Sequence, residues 1–137
     1  MAAAARLVGL ALTLSLIFIP STAAQCTALV RIPRTYQNNG QYQAEIDLVL
    51  VNTGSSYSAG GQSLYVSNPN YLQLISTSGW SGSGSGGSVS GTVQLGGGLA
   101  NGGSVSVNMV VAGSSPQNFF PRSVSFGGRS CHIQQTR

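Results

Sequence analysis

An alternation of apolar and polar residues over positions 41–51 is the clearest pattern in the chain. Apolar side chains take every second position, namely Tyr42, Ala44, Ile46, Leu48 and Leu50. A period of two puts these side chains on one face of a β-strand. The second half of the stretch is apolar on both sides, which predicts a strand that enters the centre of a sheet.

Six further stretches alternate in the same way, and residues such as Gly, Asn, Ser or Pro separate them. They cover residues 26–32, 62–67, 71–76, 89–95, 104–111 and 122–126, with an extension of the last stretch to 131 left open. Pro33 is expected to end the first of them, and no helix is predicted after the N-terminal segment. Regular short strands with turns between them predict an all-β fold, either a sandwich or a barrel.

A run of almost pure Gly and Ser covers residues 81–88. This composition is typical of flexible linkers between domains. Too little chain lies on either side of the run to form two independent cores. We therefore predict a long surface loop between two strands of one domain.

The first residues have the organisation of a secretion signal. Arg6 precedes an uncharged apolar run of 13 residues over positions 7–19. That run is too short to cross a bilayer comfortably, and small residues follow it at the positions that signal peptidases require. We expect a signal peptide at 1–24 and one domain at 25–137. The product would be secreted, extracellular or in a cell wall, with no membrane attachment after cleavage.

The two cysteines, Cys26 and Cys131, lie at the two borders of the predicted domain. Secreted proteins fold in oxidising compartments, where a pair of cysteines normally forms a disulfide. Only one intramolecular pairing exists, and it would join the two ends of the domain. Free thiols and intermolecular pairing are the alternatives, and the border positions favour neither.

Charged residues are scarce, which argues against several functional classes. The chain has six basic residues, all of them Arg, two acids and a formal net charge of +4. Nucleic-acid binding requires clustered cations with interleaved aromatics, and the arginines here form no run. We therefore expect no nucleic-acid partner.

Glu45 and Asp47 are the only acids, and they share one face of the predicted central strand at a spacing of about 6.5 Å. Two such carboxylates could hydrolyse a glycosidic bond or contribute to a calcium site, but a solvated strand face explains them without chemistry. His132 is the only histidine and has no obvious companion for a metal site or a triad. We predict no enzymatic activity, no metal and no cofactor.

Aromatic residues are the best candidates for a binding site. Trp80, the only tryptophan, flanks the Gly/Ser run, and Tyr36, Tyr65 and Tyr71 lie in turn-rich settings or on the outer side of a strand. Exposed flat rings can stack on the C–H groups of a sugar while Gln and Asn side chains bond its hydroxyls. An uncharged site also avoids the cost of desolvating ions. The alternative for Trp80 is a position in the core.

Several short motifs occur in a characteristic order. After Cys26, the segment Tyr36-Gln37-Asn38-Asn39-Gly40-Gln41-Tyr42 leads into the long strand, and Asn52-Thr53-Gly54 ends it. Gly102-Gly103-Ser104, Gly113-Ser114-Ser115 and Gly128-Arg129-Ser130-Cys131 follow. In this order the chain resembles family 2 carbohydrate-binding modules, which bind cellulose and chitin. Its opening is also similar to plant family 49 modules.

The resemblance implies an antiparallel β-sandwich of immunoglobulin-like or jelly-roll type, with about seven to nine strands and a Cys26–Cys131 disulfide. It also implies a row of aromatics on one flat sheet face. The first ring would be Tyr36, a later one would be at or near Trp80, and Tyr65 or Tyr71 would lie between them. The family usually carries several Trp on that face, so a single Trp implies weaker binding of crystalline polysaccharide or a shift to soluble chains.

The expected function is therefore that of a secreted, non-catalytic module that binds cellulose, chitin or a related β-glycan. Two alternatives remain open. One is a small secreted signalling ligand with a receptor, because residues 118–131 are loosely similar to tapetum-determinant-like plant proteins. Those proteins generally carry more than two cysteines, which counts against this alternative. The other is a structural protein of the extracellular matrix.

Overall fold

A computed structural model describes residues 24–136 of the chain. The expected signal peptide falls on 1–24, so all of it except Ala24 lies outside the described residues. Within 24–136 no helix is long and apolar enough to cross a membrane.

The described residues form ten β-strands and no helix. The strands are β1 (Cys26–Asn38), β2 (Gln41–Asn52), β3 (Gly60–Ser67), β4 (Tyr71–Ser78), β5 (Ser81–Ser83), β6 (Ser88–Leu95), β7 (Ser104–Gly113), β8 (Ser123–Phe126), β9 (Arg129–Ser130) and β10 (His132–Gln135). All seven stretches predicted from alternation correspond to strands, although Arg122 lies just before β8 and the extension toward 131 is interrupted after Phe126. The three additional strands, β5, β9 and β10, are short.

The strands form two five-stranded sheets that pack as a sandwich. The first sheet has the order β10-β1-β2-β7-β4, and the second has the order β5-β6-β3-β8-β9. Neighbouring strands are antiparallel except for β1 and β10, which run parallel. The predicted all-β sandwich is confirmed, and the one parallel pair is a departure from the fully antiparallel arrangement.

The core lies between the sheets and is built from the apolar positions of each alternating strand. β2 contributes Ala44, Ile46, Leu48 and Leu50, all of them fully buried, and Leu64, Val66, Val93 and Phe126 face them from the second sheet. Burial of the Val, Leu, Ile and Phe side chains contributes roughly 1.5–3 kcal/mol each. The polar positions between them are left on the outer faces of the two sheets, where a ligand can reach them.

The β1–β2 hairpin is closed by the two residues that the sequence marks as a turn. Asn39 and Gly40 both have positive φ, 55° and 78°, and connect Asn38 to its partner Gln41. Two central residues with positive φ define a type I′ turn, whose twist matches that of the flanking strands. This turn fixes the register of β1 on β2, and therefore which side chains share the outer face.

Pro33 does not end β1, contrary to expectation. The strand continues to Asn38, and the register on β2 shifts between Arg31 and Arg34. Proline has no N–H to donate to the ladder. A bulge at this point lets the chain pass Pro33 and resume pairing with Arg34 opposite Glu45.

The Gly/Ser run is more ordered than the long loop that was expected. Its first residues form β5, which pairs with β6, and Leu74 N donates to Gly84 O at 3.0 Å. The run therefore connects the β4 edge of the first sheet to the second sheet. Alternation could not reveal this strand because Gly and Ser carry no apolar side chain.

The disulfide between Cys26 and Cys131 is present, with a Cα–Cα distance of 4.4 Å. Cys26 begins β1 and Cys131 immediately precedes β10, so the bridge holds the two parallel neighbours together. Neither cysteine is free, which excludes the two alternatives for these residues in this structure.

Candidate functional site

The four candidate rings do not form the expected single row. Tyr36 and Tyr65 lie on the outer faces of opposite sheets, because Tyr36 pairs with Gln43 in the first sheet and Tyr65 with Ser90 in the second. Tyr65 is 44% exposed, whereas Trp80 is 7% exposed and Tyr71 only 1% exposed. The expected exposure of Trp80 and Tyr71 is thus corrected.

Tyr71 belongs to the core at one end of the sandwich. Its hydroxyl donates to Phe119 O at 2.7 Å, which satisfies the polar end of an otherwise apolar ring. Burial raises the pKa of Tyr71 well above its ordinary value. A sugar cannot stack on this ring in the present conformation.

Trp80 takes the core position that was the alternative for it. Its ring lies against Gly82, where a Cβ would come within 2.5 Å of the indole. Its Nε1 donates to Asn108 O at 3.0 Å. Trp80 therefore lies behind the outer face of the first sheet. Its hydrogen bond holds the backbone of Asn108, whose side chain is exposed on that face.

Two rows of side chains, polar except for Val110, run across three neighbouring strands on the outer face of the first sheet. In one row Glu45 on β2 is opposite Val110 on β7, which is opposite Ser76 on β4. In the other row Asp47 is opposite Asn108, which is opposite Ser78. These two rows enclose a shallow depression of about 210 Å³. It is lined by Glu45, Asp47, Ser76, Thr77, Ser78, Asn108, Met109 and Val110.

Both carboxylates of the depression are held by arginines of β1. Arg31 contacts Asp47 at 2.7 Å, and Arg34 contacts Glu45 at 3.5 Å. Asn108 Nδ2 donates to the other oxygen of Asp47 at 2.5 Å. The acids thus sit as oriented acceptors beside hydroxyl and amide groups, with Val110 providing an apolar surface between them.

Tyr36 lies next to this depression. It follows Arg34 by two residues on β1 and shares its face, and the Arg34 guanidinium carbon is 4.5 Å from the centre of the Tyr36 ring. Cation–π contacts of this kind hold an aromatic ring in place. Because Arg34 also contacts Glu45, it connects the ring to the depression. We call the depression together with Tyr36 the polar site.

Sequence reasoning identified only part of the polar site. Tyr36 is one of the predicted binding rings, whereas Glu45 and Asp47 are predicted to form a solvated strand face. Ser76, Ser78 and Asn108 were not singled out. Their only signal is that they occupy polar positions of alternating strands, and the strand order β2-β7-β4 is needed to bring them together.

The chain matches no protein-family model and no curated protein sequence. Among solved structures it is similar to the chitin-binding domain of Chi18aC from Streptomyces coelicolor. The TM-score is 0.57 and the identity 21%, over 80% of this chain and 96% of that one. It is also similar to a GH20 exo-β-N-acetylglucosaminidase from Vibrio harveyi, with a TM-score of 0.58 and 12% identity.

The match to the Vibrio harveyi enzyme covers 82% of this chain but only 18% of the enzyme. An inactive mutant of the same enzyme gives a TM-score of 0.57 over the same shares. At these identities the likenesses show a shared fold, the β-sandwich described above.

Proposed function

We propose that the protein is a secreted, non-catalytic module that binds a neutral polysaccharide, cellulose, chitin or a related β-glycan, at the polar site. The observation that carries the proposal is the composition of this site. Carboxylate, amide and hydroxyl groups from three strands surround Val110, and Tyr36 lies beside them. This is the set of groups that a sugar needs, because its hydroxyls require hydrogen-bond partners and its C–H faces require an apolar or aromatic surface.

The size of the depression supports recognition of a single sugar unit. Sites for drug-sized ligands usually have about 300–1,000 Å³, and this depression has about 210 Å³. It is open on the sheet surface, so a unit within a longer chain could occupy it while neighbouring units extend over Tyr36. Fold likeness to a domain that is described as chitin-binding, over 96% of that domain, adds support.

Binding is favoured over hydrolysis by the state of the two acids. A glycosidase requires one carboxylic acid that gives a proton to the leaving group. Glu45 and Asp47 are each engaged by an arginine, and Asp47 also by Asn108. Such contacts suit carboxylates that accept hydrogen bonds from sugar hydroxyls.

Assignment to family 2 carbohydrate-binding modules is part of this proposal. Its support is the motif order and the position of Tyr36. The buried position of Trp80 is a departure from the exposed ring that the resemblance implies. With one tyrosine at the polar site, we expect a preference for soluble or amorphous chains over crystalline surfaces.

The test is retention of the folded, oxidised protein on insoluble cellulose, chitin and xylan. We expect retention on at least one of them. Added salt should change it little, because stacking and hydrogen bonds to an uncharged sugar are not screened as exposed ion pairs are. Tyr36→Ala should weaken binding by between about twofold and tenfold, the value of a lost ring contact. Tyr36→Phe keeps the ring and should bind like the wild type.

A blocking variant addresses the depression directly. Ser76→Lys places a long side chain across it toward Glu45, and we expect it to abolish binding there. Ser104→Lys is the matched control, since Ser104 is on β7 and outside the depression. If the wild type is retained on none of the polysaccharides, the proposal is wrong. Saturable binding to a protein receptor without sugar binding would then favour a signalling ligand.

A further inference from the structure

The outer face of the second sheet carries an uncharged row that crosses all five strands. Its members are Ser83 on β5, Ser90 on β6, Tyr65 on β3, Ser125 on β8 and Ser130 on β9, each opposite the next. At about 4.8 Å per strand spacing the row is roughly 19 Å wide. The only ring in it is at the centre, and it is the most exposed aromatic side chain among the candidates.

Two shorter rows of hydroxyl groups flank the central row. Ser81, Thr92 and Ser63 form one of them, and Ser88, Ser67 and Ser123 form the other. Ser67 and Ser123 are within hydrogen-bond distance of each other through their hydroxyls. We call these three rows the serine face. Apart from Tyr65, every residue in them is Ser or Thr.

Five of the six Arg, Asp and Glu residues that the structure describes lie elsewhere, and the sixth, the exposed Arg122, adjoins one end of the face, where its backbone N donates to Ser67 O. Arg31, Arg34, Glu45 and Asp47 are on the outer face of the first sheet. Arg129 points away from the serine face, since its guanidinium lies 3.9 Å from the Tyr57 ring centre and donates to Asn52 Oδ1. No member of the three rows is charged, so a neutral polyhydroxylated ligand would find donors, acceptors and a stacking ring there.

Sheet stability does not account for this composition. β-branched and aromatic residues are the ones enriched in strands, and only Thr92 and Tyr65 on the serine face belong to these classes. Serine hydroxyls on an exposed face also remain hydrated, so they contribute little to folding. A surface of this kind is suited to exchanging water for the hydroxyls of a ligand.

We infer that the serine face is a second polysaccharide-binding surface, so that one module bridges two glycan chains. This inference rests on the function proposed for the polar site. The two surfaces face in opposite directions on the sandwich, so a single sugar unit cannot contact both. They also differ in form, because the polar site is a depression that fits one unit and the serine face is a broad surface that lies along a chain.

The experiment measures bridging on the polysaccharide that retains the wild-type protein. Particles coated with the protein are washed and then offered a fluorescent soluble oligosaccharide of the same polymer. We expect wild-type protein on the particles to capture it, and a titration in solution to give two oligosaccharides per module. Tyr65→Ala and Ser90→Lys should still be retained through the polar site, but capture should fall at least about tenfold.

Two controls are matched to these variants. Tyr65→Phe keeps the ring and should capture like the wild type, and Ser104→Lys adds the same charge as Ser90→Lys on the other sheet. Ser76→Lys should also be retained without capture, through the serine face alone. The double variant Ser76→Lys, Ser90→Lys should lose retention altogether.

The outcomes separate the two proposals. Retention with one oligosaccharide per module, and capture unaffected by Tyr65→Ala, would overturn the second site and leave the proposed function intact. Absence of retention in the wild type would remove both. A dimer in sedimentation analysis that Ser90→Lys converts to monomers would identify the serine face as a self-interface and would also overturn the inference.

Discussion

At the scale of single residues, polar groups on aromatic rings decide which rings are buried. Tyr71 and Trp80 each have one hydrogen-bonding group, and a backbone carbonyl accepts from each of them. A ring with its polar group satisfied can enter the core at little cost. Tyr65, by contrast, lies opposite Ser90 and Ser125 on the outer face of the second sheet, and its ring stays exposed. Leu64 and Val66 flank Tyr65 and predict that it points to the opposite side of its strand, whereas Trp80 lies between Gly and Ser residues that carry no such alternation.

Burial of Tyr71 predicts a loss of stability in alkali. Burial raises its pKa in the folded protein above the ordinary value of 10.0. Below pH 10.0 Tyr71 is protonated in both the folded and the unfolded protein, and its contribution to stability is complete. Above it the unfolded chain loses the proton first, so the free energy of unfolding falls as pH rises toward the folded pKa.

Urea unfolding across this pH range measures the effect. Tyr71→Phe should be less stable near neutral pH, because the hydrogen bond to Phe119 O is lost, and its stability should decline less steeply above pH 10. An identical decline in both proteins would exclude Tyr71 as its source. Burial also raises the pKa of Tyr57, with Arg129 opposing the shift, so some decline should remain in the variant.

At the scale of elements, close backbone approach allows β5 to join the second sheet. A Cβ at Gly91 would lie 1.9 Å from Ser81 O and 2.5 Å from Gly82 Cα. Only glycine permits β5 to pack here, and β5 in turn keeps Gly82 against the Trp80 ring. Thus the same strand supplies two serines of the serine face and covers the indole that anchors Asn108.

Gly91→Ala should therefore displace β5 from β6. We expect the free energy of unfolding to fall by about 1–3 kcal/mol, as for other substitutions that overpack a tight contact. The fluorescence of Trp80, the only tryptophan, should report the displacement in the folded state. Gly97→Ala is the control, because a Cβ there has no atom within 4 Å. Equal unfolding midpoints for the two variants would contradict the proposed packing.

At the scale of the whole molecule, the disulfide joins the first and last segments of the sandwich. Cys26 and Cys131 are 105 residues apart in sequence, so their bridge closes almost all of the described chain into a loop. The strands around β1 and β10 depend on this closure, because β10 has β1 as its only neighbour in the first sheet. The bridge also joins the start of β1 to the connection between β9 of the second sheet and β10 of the first.

Removal of the disulfide should cost about 4–5 kcal/mol of stability, the chain-entropy value for a loop of this length. Urea unfolding of the protein with and without reductant measures the loss, and the double variant Cys26→Ser, Cys131→Ser should match the reduced protein. An unfolding free energy that reduction leaves unchanged would show that the loop constrains the unfolded chain very little.

The sequence by itself determined the strands with an apolar face, the hairpin turn at Asn39-Gly40 and the bridge between the two ends. These features follow from local rules, because neighbouring side chains on a strand point to opposite faces, and two cysteines can form only one intramolecular pair. Strands without apolar side chains, such as β5, left no local signal.

Only the tertiary structure decided which outward side chains meet. Glu45, Val110 and Ser76 come together because β7 lies between β2 and β4, and Ser83, Ser90 and Tyr65 because β6 lies between β5 and β3. Strand order and register are set by packing between distant segments. For that reason the rings expected on one face are divided between two opposite faces and the core.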